Sequence, residues 1–548
     1  MTIESTGEGG LLITGARVYT ADHAQPWATA IVTQGGRITY VGDDEGARAY
    51  VVPRTERIHL PGALVVPGLN DSHTHLLWGA DGFGMLDLEG VYTLPALHDR
   101  LRAYAAAHPD RPWIEGFGLP YDALAGVSGP ERLALDAALP DRPVYLRAYD
   151  WHTSWANTMA LEQAGLAHGA DLPAPNRVVV DPATGLATGT LRERLAQDRV
   201  TRLIPVPSEQ ERDDLLRRAV RHVNGYGVTS AQNMDGDAAS LRRYERLRGR
   251  GELSVRAAHY LSVRPDTPRE ELRPLAALAR VYADPWHHVA GIKLFIDGVI
   301  ESKTALLLKP YADGSGDHGV PDMDPAAYQD MVVAADASRL SVATHAIGDR
   351  GVRLALNAYE AAHRANGAWP GRRHRVEHIE VSHPADAPRF AHLGVVASMQ
   401  PLHAILGDDP SVTPWTTLAG PAREPYAFAW QALLQACARM AFGSDWPVVR
   451  PDPRLGLYAA LTRRGLGGEP AGSWQPQQAV TLAQALDAYT RGAAYAEGQD
   501  EIKGMLRAGM LADLTVFTRD LFALAPDEIP SVEIALTVVD GRVVYQRR

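Results

Sequence analysis

The sequence predicts an α/β protein: a (β/α)8 TIM-like barrel, a small β-sandwich domain built from both termini, and a subdomain inserted after the first barrel strand. Three observations carry this. Short apolar runs alternate with helical stretches through the middle of the chain. Strand-like segments with hairpin turns stand at both ends. A stretch from Leu76 to about Val223 is far too long for one crossover connection.

At the N-terminal end, "LLITGARVYT" and "AIVTQGGRITYVGD" alternate apolar and polar residues, with Gly35-Gly36 marking a turn. At the other end, "ADLTVFT" precedes "IALTVVDGRVVYQ", with Asp540-Gly541 at its turn. Between them, residues 63–67, 227–231, 253–260, 289–296, 340–344, 375–379, 394–399 and 439–443 form eight runs rich in Val and Ala. Helical candidates separate them, among them "PAAYQDMVVAADASR", "DRGVRLALNAYEAAHRANG" and "PYAFAWQALLQACAR". In the insert, "GPERLALDAALPDRPVYLRAYDWHTSWANTMALEQAGL" reads as helix, strand, polar loop, helix. The predicted division is residues 1–62 with 500–548 for the β-domain, 63–75 with 223–499 for the barrel, and 76–222 for a subdomain roofing the site.

Composition narrows the function. The chain has 548 residues, 46% hydrophobic and 22% charged, with a formal charge of −11. A net acidic surface disfavours nucleic acid and anionic lipid as partners. No apolar run approaches the ~18 residues of a membrane span, and "MTIESTGEGG" shows no signal-peptide pattern. A cytoplasmic protein acting on a small molecule is expected, and a homodimer is compatible with this. Cys437 is the only cysteine, so no internal disulfide and no multi-cysteine metal site can form. Its neighbours, "LLQACARMAF", predict a small core residue.

A barrel places its chemistry at the C-terminal strand ends. His73 and His75 follow the first run. Lys293 lies in the fourth, His345 ends the fifth, His378 the sixth, and Asp445 follows the eighth. A single histidine is more often an ordinary core or surface residue than a ligand. Five strands ending, in order, in groups able to bind or bridge a divalent cation are much harder to attribute to chance. Residues two apart on a strand point the same way, so His73 and His75 can grip one ion.

The ordered pattern H-x-H, K, H, H, D resembles the amidohydrolase superfamily, and more narrowly its YtcJ-like branch (amidohydrolase family 3). "VVPGLNDSHTHL", "DRPVYLRAYDWHTSWANTMAL", "KLFIDGVIESKTALLLKPYAD", "ATHAIGDRG", "RVEHIE", "FGSDWPV" and "KGMLRAGMLADLTVF" carry the likeness. Two departures lie near the presumed substrate side. Trp151-His152-Thr153 replaces the branch's Gly-His-Ser, and Asp297-Gly298-Val299 replaces its Asp-Gly-Ser. The resemblance implies that His73, His75 and Asp445 hold one divalent ion, with Zn2+ expected, and His345 and His378 a second. Lys293 would bridge them as a carbamate, since a protonated lysine has no lone pair to offer. A one-metal site using His73, His75, one further histidine and Asp445 stays open, as does a Lys293 merely paired to Asp297 or Asp445.

Such an ion lowers the pKa of its water toward ~7 and supplies hydroxide to a polarised carbonyl. Asp445 would carry the proton to the leaving amine. Candidate substrate contacts are Trp78, Trp446, His152, Glu193 and His403; core packing would explain the tryptophans equally well. The leading expectation is hydrolysis of C–N bonds in small non-peptide amides, with N-substituted formamides one activity that fits. A cyclic amide, ester or lactone hydrolase on the same metals is the alternative, and a non-catalytic amidohydrolase-like scaffold a remote one.

Overall fold

The computed structural model describes residues 10–124, 129, 131–407 and 409–547. Residues 1–9, read above for a leader, and Pro130, in the predicted first helix of the insert, lie outside these.

Eight parallel strands form the barrel: β1 (Leu69–Thr74), β2 (Val228–Gly236), β3 (Arg256–Ser262), β4 (His287–Phe295), β5 (Ser341–Ala346), β6 (Arg375–His378), β7 (Val396–Met399) and β8 (Arg439–Phe442). Each pairs with the next in sequence order. The seam between β8 and β1 is drawn together by backbone bonds just beyond β8. Asp445 N–H donates to His73 O at 2.6 Å, and His75 N–H donates to Trp446 O at 2.7 Å. Gly443 makes this approach possible, because a Cβ there would run into the His73 backbone and the Asp71 carboxylate. Helices Pro325–Ala337 and Asp349–Asn366 cover the barrel wall where their 3.6-residue periodicity predicts. The third predicted helix is cut to Trp430–Gln435, because Pro425 to Ala429 form a 3-10 turn and a bend.

The run expected as the first barrel strand is a correction. Leu64–Pro67 belongs to the β-domain, pairing with Arg17–Tyr19 and Leu514–Phe517. The barrel strand starts one residue later, after Gly68. A Cβ at Gly68 would strike the Thr229 side chain, so the chain passes between the two sheets only on a glycine. The apolar run had pointed to the wrong sheet because β1 itself, "LNDSHT", carries polar side chains into the barrel interior.

The small domain packs two sheets face to face. One has four strands, in the order Arg37–Gly42, Ala30–Gln34, Leu11–Thr14, Glu56–His59. The other has six: Arg542–Gln546, Ile534–Val539, Leu514–Phe517, Leu64–Pro67, Arg17–Tyr19, Trp27–Ala28. Leu11, Ile13 and Ile31 from the first meet Val65, Val516 and Val538 from the second in one core, a β-sandwich drawn from both ends of the chain.

Between β1 and β2 the insert builds its own six-stranded sheet, from Arg177–Val180 at one edge to Leu86–Asp87 at the other. The segment expected as a polar loop is partly strand. Thr153–Ala156 pairs antiparallel with Val144–Ala148, burying Trp155, and only the turn at Tyr149 to His152 remains a loop. Cys437 is also corrected. It is exposed at a turn with φ 60°, because helix Trp430–Gln435 ends before reaching it. Among the described residues no helix is long and apolar enough to cross a membrane.

Candidate metal centre

The strand ends bring His73, His75, Lys293, His345, His378 and Asp445 together inside the barrel mouth, all buried. Ligand atoms of His73, His75 and Asp445 lie within 4.8 Å of one another, as do those of His378, His403 and Asp445. Asp445 Oδ1 is 3.4 Å from His73 Nε2 and 3.3 Å from His75 Nε2. The His345 and His378 rings are 4.4 Å apart, and His378 is 4.8 Å from His73. Lys293 Nζ lies 3.5 Å from His73 Nε2 and 4.7 Å from the Phe295 ring. It forms no ion pair among the described residues, and Asp297 is engaged elsewhere, accepting from the backbone N–H of Leu306, Ile347 and Gly348.

The donor set fits a divalent cation. Burial pushes the His345 and His378 imidazoles well below their ordinary pKa and lowers His73, so these rings keep free lone pairs at neutral pH. Burial opposes ionisation of Asp445, but His73, His75 and His378 outweigh it and hold the carboxyl far below the usual range. Its Oδ1 is buried with no close hydrogen-bond partner, facing the Nε2 atoms of His73 and His75. Backbone strain marks the same place. His378 (φ 73°), Ile379 (φ 52°) and Asp445 (φ 61°) are non-glycine residues in the left-handed region, at a cost of about 1–3 kcal/mol each. For His378 this turn breaks strand alternation, so that Glu377 and His378, adjacent in sequence, both serve the interior.

Beneath the ligands lies a pair that the sequence reading missed. Arg375 and Glu377 are fully buried on β6 and bonded to each other. Glu377 Oε2 stands 2.6 Å from His73 Nδ1. Burial alone would raise the Glu377 pKa, but Arg375 and His73 reverse this and hold it down to about 2. Two opposite charges two apart on an otherwise apolar interior strand were the available signal. Asp235, at the end of β2, was missed too; its Oδ1 faces His75 Nδ1 at 3.8 Å.

Side chains of the insert stand against the candidate ligands. Trp78 stacks on His75 with centroids 4.0 Å apart and planes 9° apart, and Trp151 stacks on Trp78 at 5.1 Å. Arg147 caps this column at 5.0 Å from the Trp151 ring, and Gln197 donates to the Trp151 carbonyl at 2.8 Å. His152 lies 5.9 Å from the His345 ring, with Nδ1 2.9 Å from Glu193 Oε2. Glu193 (φ 61°) and Trp151 (φ 64°), the residue before His152, hold strained backbone at this dyad. His403 sits between Glu380 and Asp445, its Nδ1 3.8 Å from Glu380 Oε1 and its Nε2 3.9 Å from Asp445 Oδ2. Trp446 stands apart from these contacts. Its ring presses on Gly79 and packs with Leu76, Leu77 and Val220, so it is a core residue between barrel and helix.

Burial would depress the His152 imidazole, but Glu193, Asp150 and Asp322 overcome that and push it up to about 9. The ring is therefore a cation at neutral pH. Because this folded-state pKa exceeds the ordinary 6.5, the dyad's stabilisation is full below about 6.5 and is lost as pH rises through about 9. Glu193→Gln should drop the His152 pKa by more than one unit; an NMR titration of the imidazole checks this, and an unchanged value would discount the dyad.

Comparison with known proteins agrees with this geometry. Residues 56–545 match the family model described as the amidohydrolase family. The chain is 31% identical to Protein LONG AFTER FAR-RED 3 of Arabidopsis thaliana, covering 98% of this chain and 91% of that one. It is 29% identical to the putative amidohydrolase YtcJ of Bacillus subtilis (97% and 99%) and 27% identical to N-substituted formamide deformylase of Arthrobacter pascens (98% and 98%). Among solved structures, an uncharacterized metal-dependent hydrolase of Pyrococcus horikoshii superposes with a TM-score of 0.75 at 27% identity, covering 94% of this chain and 99% of that one. Barrel, strand-end donors and a family match along most of the length lead to one conclusion: the chain belongs to the amidohydrolase family and is a metal-dependent hydrolytic enzyme.

Proposed function

We propose that this enzyme hydrolyses the C–N bond of small non-peptide amides, with N-substituted formamides as the leading class. The observation that carries this is the aromatic column His75–Trp78–Trp151. It sets the edges of two indole rings beside the candidate metal ligands, an apolar wall suited to an amine substituent, while a small acyl group reaches the donors. The similarity to the Arthrobacter deformylase over nearly the whole of both chains supports the same class.

His73, His75 and Asp445 would hold one ion and His345 and His378 a second, with Zn2+ the expected metal and Lys293 carbamylated between them. Bound there, a divalent ion polarises a carbonyl and brings a water's pKa toward neutrality. The chain supplies the rest. Asp445, ionised and short of partners, accepts the nucleophile's proton and returns it to the departing nitrogen, which cannot leave an amide unprotonated. His152, held as a cation by Glu193, donates toward oxygen charge developing on the substrate. Burial lowers the Lys293 amine to about 8, leaving part of it neutral and able to add CO2 at physiological pH.

A hydrolysis screen with metal-replete enzyme tests the reading. Formamides with aromatic amine substituents should turn over faster than their acetamide counterparts, lactams, esters and lactones. Preference for esters or lactones, with no amide turnover, would overturn it. Lys293→Ala should reduce bound metal from two ions toward one, with partial rescue of turnover by a short carboxylic acid plus added metal; full metal content in the variant would remove the bridging role.

A further inference from the structure

The two ligand pairs are backed by different chemistry on the side away from the cluster. His73 Nδ1 has the Glu377 carboxylate at 2.6 Å. His75 Nδ1 faces Asp235 Oδ1 at 3.8 Å, and both atoms are buried with no other partner. Across the centre the hydrogen-bonded acceptors are neutral, although His378 Nδ1 also stands 3.8 Å from Asp445 Oδ2, a carboxylate of the cluster itself. His345 Nε2 meets the Gly298 carbonyl at 3.2 Å, and His378 Nδ1 meets the Gln400 amide oxygen at 3.0 Å. Asp297 Oδ1 also stands 3.8 Å from His345 Nε2, but three backbone N–H groups already occupy the Asp297 oxygens.

A carboxylate behind a ligating imidazole fixes its tautomer and raises its basicity, and loss of such a partner costs about 10–100-fold in metal affinity. Two rings so backed, together with the Asp445 carboxylate, make a stronger donor set than two rings backed by carbonyl groups. We propose that Asp235 and Glu377 are positioning residues that make the two metal positions unequal: the ion at His73, His75 and Asp445 is held tightly, and the ion at His345 and His378 is exchangeable. Asp235 is the more informative of the two. Its oxygen and the His75 nitrogen are short of a hydrogen bond by less than an ångström, a gap that a small rotation of the His75 ring would close. The inference rests on the metal-centre reading and goes beyond it, because nothing in the ligand set alone ranks the two positions.

The test is a titration of full-length apoprotein with Zn2+ followed by calorimetry, and with Co2+ followed by visible absorbance. Wild type should fill in two resolved classes with distinct Co2+ spectra. Asp235→Asn should weaken only the tighter class, by about 10–100-fold, leaving the weaker class and the melting transition unchanged. Asp235→Glu should restore part of the loss, and Gln400→Leu should weaken only the looser class. That selectivity separates positioning from general loosening of the fold, which would move both classes. Glu377→Gln should act like Asp235→Asn, but Asp235 carries the test should removal of the buried Glu377 charge prevent folding. A single binding class in wild type, or an Asp235→Asn variant with both classes unmoved or equally weakened, would overturn the proposal while leaving the metal centre standing. Failure of wild type to bind either metal would instead sink the metal-centre reading and this proposal with it.

Discussion

His73→Ala is expected to lower kcat on the order of 10^3-fold or more, with loss of metal and without loss of fold. His73 is the residue on which the site converges: Asp445, Lys293, His378 and Glu377 all lie against its ring. Metal ions contribute several kcal/mol of charge stabilisation in such reactions, and about 1.4 kcal/mol is worth tenfold in rate, which gives the magnitude. Metal content by mass spectrometry, steady-state rates and a melting curve on the same preparation would check it. Wild-type turnover with reduced metal would show that chemistry runs elsewhere.

Arg375→Met is expected to destabilise the protein by about 3–5 kcal/mol, the usual cost of stranding one partner of a buried ion pair. The guanidinium donates to Glu377, Gln232, the Ser72 carbonyl and Ser398 Oγ, all within the barrel floor. Without it the Glu377 carboxylate is left uncompensated. Chemical denaturation measures the loss directly. Adding Glu377→Leu should recover much of the stability, since the stranded charge is gone, yet leave metal affinity impaired because His73 has lost its acceptor. A double variant as unstable as the single would mean that packing, not charge, set the cost. The same pair shapes acid sensitivity. Glu377 has a depressed folded-state pKa, so its contribution is full above about 4.5 and fades as pH falls through about 2.

Much of the barrel was legible because interior strands announce themselves as short apolar runs, and its candidate ligands stood out because a polar residue at the end of such a run is conspicuous. That logic failed where polarity lies inside. Strand β1 buries Asn70, Asp71, Ser72 and His73 and so lacks the apolar run that marks a strand, while the apolar Leu64–Pro67 took its place. Arg375 and Glu377 escaped notice for the same reason, since each is satisfied only by a partner from a distant part of the chain or by its neighbour. Left-handed residues such as His378 and Asp445 are invisible in sequence: local preference opposes them, and only the assembled site holds them there. Trp446 shows the converse. Proximity to a ligand in sequence placed it at the site, but its side chain turns outward to the helix layer.

The junction at Gly68 has a consequence for how the enzyme is made. Leu64–Pro67 is gripped by Leu514–Phe517, and the next strand carries His73 and His75. His73 and His75 leave the ribosome early, and although their strand can pair with Val228–Gly236, the residues leading into it wait for Leu514–Phe517. At about 5–20 residues per second, roughly half a minute to a minute and a half of synthesis separates them from Leu514–Phe517. On this order of assembly, loading with metal would follow synthesis of Leu514–Phe517. A nascent chain stalled before Leu514 should appear empty, and a carboxy-terminal truncation should behave as a metal-uptake defect before it behaves as an unfolded protein.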